Sequence, residues 1–175
     1  VEDGGMVGGI CGNSSDGIIE NCTNEGSIKS LVVNSSGHSL GGVCGIMQEG
    51  TIKNCINKGE VKGDSNLGGI VGSLDKSFVY DSANFANVSG FSSVNGSVGG
   101  IVGYCLCGVV ERSYNIGRIF GCCDVGGICG SGLGNTTTIT KYIKDCYNTG
   151  DIISTKEGRC GGICGFADVL FAGIS

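Results

Sequence analysis

Apolar residues in this chain come in short runs, spaced by glycine and asparagine. The phrase Gly-Gly-[Ile/Val]-[Cys/Val]-Gly begins at Gly8, Gly41, Gly68, Gly99, Gly126 and Gly161. A second phrase, apolar-x-x-[Cys/Ser]-x-Asn-x-[Gly/Ala]-x-[Ile/Val], follows each of the first five copies. It spans Ile19 to Ile28, Ile52 to Val61, Val79 to Val88, Val110 to Ile119 and Ile143 to Ile152. The runs are β-branched and bounded by Gly or Asn. None sustains the i, i+3, i+4, i+7 spacing of an amphipathic helix. Three Gly in five positions would cost a helix about 2–3 kcal/mol. The pattern therefore predicts strands, three short ones per repeat, at roughly residues 40–46, 51–56 and 59–62 of the second copy.

A repeat that cannot bury its apolar face alone must stack on its neighbours. The chain is read as all-β, a parallel β-solenoid with five full rungs and a partial sixth. Repeats start near residues 7, 40, 67, 98, 125 and 160 of a single domain, 1–175. The shortest complete repeats are 27 residues long, and longer ones carry inserts at one of two corners. The inserts have turn composition, as in Asn34-Ser35-Ser36-Gly37-His38 and Gly132-Leu133-Gly134-Asn135-Thr136-Thr137-Thr138. The chain opens at Val1 and closes after a sixth Gly-Gly phrase, which suggests a fragment of a longer exported protein.

Stacking the repeats aligns Asn24, Asn57, Asn84, Asn115 and Asn148 in one column. Such a column can bond amide to amide from rung to rung. Gly26, Gly59, Gly117 and Gly150 follow it, with Ala86 as the departure, and Gly there is expected to supply a positive φ. The columns Ile19/Ile52/Val79/Val110/Ile143 and Ile28/Val61/Val88/Ile119/Ile152 should point into the core. Charges also stack: Glu20/Lys53 and Glu111/Lys144, Asp81/Arg112/Asp145, and Arg118/Asp151. Exposed pairs of this kind add about 0.2–1 kcal/mol each and fix register.

Composition narrows the functional classes. The net charge is −5 and no Lys/Arg cluster occurs, which argues against a nucleic-acid partner. No apolar run is long enough to insert in a membrane as a helix. Twelve cysteines are the unusual feature. Seven lie in two columns: Cys11/Cys44/Val71/Val102/Cys129/Cys164 and Cys22/Cys55/Ser82/Ser113/Cys146. In the complete repeats the columns switch together, which suggests disulfides within rungs: Cys11–Cys22, Cys44–Cys55 and Cys129–Cys146. Pairing between rungs, such as Cys11–Cys44, also falls within disulfide reach. The third reading is reduced thiols packed as small hydrophobes. Cys105, Cys107, Cys122, Cys123 and Cys160 lie off the columns. Their spacings are not those of zinc sites, and neither metal nor cofactor is expected.

The Gly-Gly-Ile-Val-Gly phrase, followed by Ile-Lys-Asn-Cys-Ile-Asn-Lys-Gly-Glu-Val, resembles the GLUG repeat of bacterial surface proteins. Ile stands here for the usual Leu, and Cys for the following Val in four of six copies. The resemblance implies a cell-surface or secreted bacterial protein, with repeats found in adhesins and beside catalytic domains of immunoglobulin-A-cleaving metallopeptidases. It supplies no catalytic residues. The expected function is a non-enzymatic structural or adhesive module, meeting a host glycan or protein through the inserts at residues 30–39, 90–97 and 131–141. The alternative is a carbohydrate-active β-helix enzyme, a glycan lyase or hydrolase. Its one candidate cluster is Asp81, Arg112 and Asp145, where two carboxylates two rungs apart would stand about 9.6 Å apart. Catalysis there would require a groove walled by inserts and aromatic rings.

Overall fold

The computed structural model describes residues 5–30, 37–91, 96–132, 142–168 and 173–175. Among them every element is a strand and every strand pairing is parallel. The strands form four parallel sheets, each running the length of the stack. The protein is a β-solenoid of about five turns.

One rung shows the design. The second is built from Ser39–Gly41, Cys44–Gln48, Thr51–Lys53, Ile56–Asn57 and Val61–Gly63. That is five short segments rather than the three expected. In the third and fourth rungs the second and third segments fuse into Val71–Tyr80 and Val102–Glu111. In the second rung the extra breaks fall at two corners, each with a single left-handed residue, Glu49 and Asn54. Asp16, Glu49 and Lys76 form one corner column, and Asn21, Asn54, Asp81, Arg112 and Asp145 another, all with φ between 47° and 56°. Asn and Asp tolerate this conformation because their short polar side chains bond locally.

The 27-residue period holds for two of the five rung steps. The registers Met6↔Ser39, Ser39↔Asn66, Leu67↔Val98, Ser97↔Asp124 and Asp124↔Arg159 give offsets of 33, 27, 31, 27 and 35 residues. Rungs are thus roughly 31 residues apart on average, because the longer steps carry inserts and strand register resumes after each.

The cross-section has two apolar lobes. The larger holds Val43, Cys44, Met47, Ile52 and Cys55 of the second rung, stacked on Ile70, Val71, Leu74 and Val79 of the third. The smaller holds Val7, Leu40, Leu67, Val98 and Val125 on one wall and Val61, Val88 and Ile119 on the other. Between them lies a waist where the Asn column meets the second Gly of each Gly-Gly phrase. A Cβ on Gly42, Gly69 or Gly100 would collide with the carboxamide of Asn57, Asn84 or Asn115. Glycine is required there by close approach across the core, not by backbone freedom.

The same holds at the Asn turn. Gly26, Gly59, Gly117 and Gly150 do not have the expected positive φ; among the described residues Gly37 is the one glycine that does. A Cβ on Gly59 would instead strike the carbonyl of Gly26 in the rung before, and one on Gly150 that of Gly117.

Candidate functional site

The waist ladder is fully bonded. Asn24 Nδ2 donates to Asn57 Oδ1 (2.8 Å), Asn57 to Asn84 (2.8 Å), Asn84 to Asn115 (2.7 Å) and Asn115 to Asn148 (2.7 Å). The second hydrogen of each Nδ2 goes to the carbonyl two residues on, as from Asn57 to Gly59 (2.9 Å). Gly59 N–H returns a bond to Asn57 Oδ1 (3.1 Å). Asn57 and Asn84 thus use both donors and both acceptor sites, and Asn115 both donors, as buried amides need. The ladder's bonds run within and between rungs, which is a structural role.

The cysteine columns have a local logic. In the second column each side chain donates to the carbonyl two residues back: Cys22 to Glu20 (3.2 Å), Cys55 to Lys53 (3.3 Å) and Cys146 to Lys144 (3.2 Å). Ser82 and Ser113 make the same bond, to Tyr80 (2.7 Å) and Glu111 (3.0 Å). Cys and Ser alternate there because the corner needs a small donor. In the first column Cys11, Cys44, Cys129 and Cys164 donate to the carbonyl two residues on, at 3.0–3.4 Å. Val71 and Val102 show that filling the lobe suffices at that position.

All twelve cysteines stand as thiols, including the pairs Cys11–Cys22, Cys44–Cys55 and Cys129–Cys146. The sulfur neighbours lie along the columns. Cys11 is in register with Cys44, and Cys129 with Cys164. Burial pushes the Cys44 thiol up to about 12, with the Cys11 sulfur adding to the effect. Burial also raises Cys55, beside Cys22. Off the columns, Cys122 and Cys123 place their sulfurs 3.2 Å apart. Among the described residues no three His, Cys, Asp or Glu side chains converge on a point that could hold a metal.

Asp81, Arg112 and Asp145 share the second left-handed corner. Arg112 grips Asp81 with two bonds, Nε to Oδ1 (2.7 Å) and Nη2 to Oδ2 (3.1 Å), and also meets Glu111. The guanidinium holds the Asp81 carboxyl below the usual carboxylate range. It also lies 5.6 Å from the centre of the Tyr80 ring. Asp145 stands apart, 59% exposed, and its ion-pair contact is Lys144 at 4.0 Å. Two of the three residues thus form an ion pair on this corner, and the third makes its contact with Lys144.

The other charge columns close differently from expectation. Glu20 and Lys53 are in register, as are Glu111 and Lys144, yet neither pair makes an ion pair, nor do Arg118 and Asp151. Among the described residues the inter-rung pairs besides Arg112–Asp81 are Lys58–Glu25 (3.0 Å), Lys76–Glu49 (2.9 Å), Lys29–Glu60 (3.4 Å) and Arg159–Asp124 (2.7 Å). Alignment in a column sets the backbone spacing, but rotamers decide which charges touch.

Sequence reasoning missed the aromatic surface. All eleven aromatic residues lie at or after Phe78. Six of them flank the Arg112 corner. Phe78 stacks on Tyr80 (5.8 Å), Tyr114 on Tyr147 (4.9 Å), and Phe85 meets Tyr114 edge-on (5.8 Å). Tyr142 donates to Glu111 Oε2 at 3.3 Å. Phe85, Ile116 and Tyr147 are each more than two-fifths exposed. The signal was available: Tyr114 and Tyr147 occupy the position just before the Asn column. Around the next corner, Asn87, Ser89, Arg118 and Phe120 line an open depression of about 220 Å³. The inserts expected to carry binding centre on residues 31–36, 92–95 and 133–141, which lie outside the described residues.

Comparison with known proteins adds one finding and two negatives. No curated protein matches the chain, and no solved structure does. The family model described as the GLUG motif matches residues 3–29, the first rung of this solenoid, which is thus similar to a GLUG repeat.

Proposed function

We propose that this chain is a non-enzymatic scaffold module of a bacterial cell-surface or secreted protein, which carries adhesive contacts on its outer face. The observation that supports this is the continuity of the buried Asn ladder across five rungs. A stack locked at the waist by amide bonds keeps its cross-section while its outer positions vary. The column beside the ladder does vary along the stack, from Thr23 through Ile56, Ala83 and Tyr114 to Tyr147, and its two end members are exposed. Contact surfaces favour loops and exposed rings held on a rigid frame.

The alternative, a glycan lyase or hydrolase, draws its support from the fold class, and fold alone does not assign chemistry. Its candidate carboxylate Asp81 is engaged by Arg112 on an exposed corner. The partner of the adhesive reading is a host glycan or protein, met by the inserts and the aromatic corner.

The test is binding of the purified chain to host cells and to a glycan array, with a deletion of residues 131–141 and the variant Tyr114→Ser/Tyr147→Ser alongside. The expected result is saturable binding, reduced at least tenfold in one of the two variants, with no release of reducing ends from any bound glycan. Depolymerisation of a glycan that is lost in Asp81→Asn would establish the enzyme reading instead.

A further inference from the structure

We propose that three pairs of cysteines, Cys11–Cys44, Cys22–Cys55 and Cys129–Cys164, are disulfide-forming sites that staple neighbouring rungs together. The inference stands on register. In a parallel ladder, in-register residues lie about 4.8 Å apart, inside the 4.4–6.8 Å that a disulfide spans between Cα atoms. Cys11 pairs with Cys44 and Cys129 with Cys164 in this way. Cys22 and Cys55 immediately precede the paired residues Thr23 and Ile56, and Ile56 N–H bonds the Cys22 carbonyl at 2.9 Å.

Distribution supports the pairing. Six of the seven column cysteines have a cysteine in the same column of the adjacent rung. The intervening rungs carry Val71 and Val102 in one column and Ser82 and Ser113 in the other. No column therefore carries a continuous row of thiols along which a disulfide could migrate; off the columns, Cys105 packs in the same lobe as Cys129. Cys146 has Ser113 as its column neighbour and stays outside the set.

Burial supplies a route for the chemistry. Each pair joins a half-buried sulfur (Cys11, Cys22 or Cys164) to a buried one (Cys44, Cys55 or Cys129). The half-buried thiolate attacks an external disulfide, releasing one thiol and forming a mixed disulfide. The buried thiol, losing its proton, then attacks the mixed disulfide and releases the second external thiol. Two protein thiols are oxidised to one disulfide, and one external disulfide is reduced to two thiols. In the third pair a bond shared with Cys129 lowers Cys164 and raises Cys129, which makes Cys164 the attacking sulfur.

Peptide mapping distinguishes this pairing from its rivals. The reduced 175-residue chain is equilibrated with oxidised glutathione, alkylated, and digested with trypsin without reduction. Between-rung pairing links peptide 1–29 to both 30–53 and 54–58, and links 119–141 to 160–175. At least six of the twelve thiols are lost to alkylation. Cys129→Val, which copies the residue of the middle rungs, should abolish the 119–141 to 160–175 link. That assigns it to Cys129 rather than to Cys122 or Cys123. The proposal is overturned if 1–29 carries an internal Cys11–Cys22 bond while 30–53 joins 54–58. It is equally overturned if 119–141 joins 145–156, or if all six thiols of the three pairs stay alkylatable.

Discussion

Asn84 concentrates what a single residue does in this fold. It is fully buried, it bonds an amide in the rung on either side, and it closes its own turn through Ala86 (2.7 Å). Replacement by Ala removes the bonds that Asn84 makes to the Asn57 donor, the Asn115 acceptor, and the Ala86 carbonyl and N–H. Each orphaned buried group costs about 1–3 kcal/mol, so Asn84→Ala should destabilise the chain by about 3 kcal/mol or more, read from urea midpoints. Asn148→Ala, at the less buried end of the same ladder, should cost less than half as much. At the second cysteine column the expectation is the opposite. Ser82 and Ser113 already make the bond that Cys55 makes, so under reducing conditions Cys55→Ser should change stability by less than about 1 kcal/mol. A loss above 3 kcal/mol would show that the thiol has a packing role serine cannot fill.

At the scale of the element, the columns were legible and the corners were not. Repeating Ile/Val and Asn positions announced which side chains face inward, because a residue stacked on its own kind must share its environment. Corner conformation is set within one residue and leaves a weaker trace. The series Asn21, Asn54, Asp81, Arg112 and Asp145 does carry that trace in its Asn and Asp members, yet its charges invite an electrostatic reading first. The glycines misled for a related reason: a missing Cβ signals either positive φ or close approach, and only the structure shows the Gly26 carbonyl against Gly59. The aromatic surface escaped because it occupies rungs three to five alone, so no repeat average reveals it. The Arg112 corner makes a pH prediction. Asp81 has its carboxyl pKa lowered by its bonds to Arg112. The pair's contribution is therefore complete above the ordinary carboxylate range and is lost as pH falls through the lowered value. Side-chain carboxyl NMR should show Asp81 titrating below the other exposed aspartates, and Arg112→Gln should return it to their range. No change at pH 7 is expected in the protonation of Asp81 itself. An Asp81 that titrates with the rest in the unmodified chain would mean that the ion pair does not persist in solution.

For the whole molecule, the stack behaves as a nearly one-dimensional array in which each rung is stabilised by its two neighbours. Burial along the described rungs follows that logic. Leu40, Leu67, Val71, Leu74, Ile101 and Val102 are wholly buried, whereas in the first rung Ile18 is 73% exposed and Cys11 and Cys22 are only half-buried. The first rung has one neighbouring rung among the described residues, and its strands form one border of every sheet. It should open alone, while opening a middle rung severs two interfaces at once. Hydrogen exchange on the reduced chain should therefore be slowest in segments 67–74 and 98–105 and at least tenfold faster in segment 6–20. Leu67→Ala, in the smaller lobe, removes a fully buried side chain and should cost about 2–5 kcal/mol. It should speed exchange in the rungs on both sides of it. Val7→Ala, in the first rung, should speed exchange there and leave segments 67–105 unchanged. If both substitutions accelerate all segments equally, the solenoid unfolds as a single cooperative unit. The interfaces between rungs would then be stronger, relative to the rungs themselves, than this burial gradient indicates.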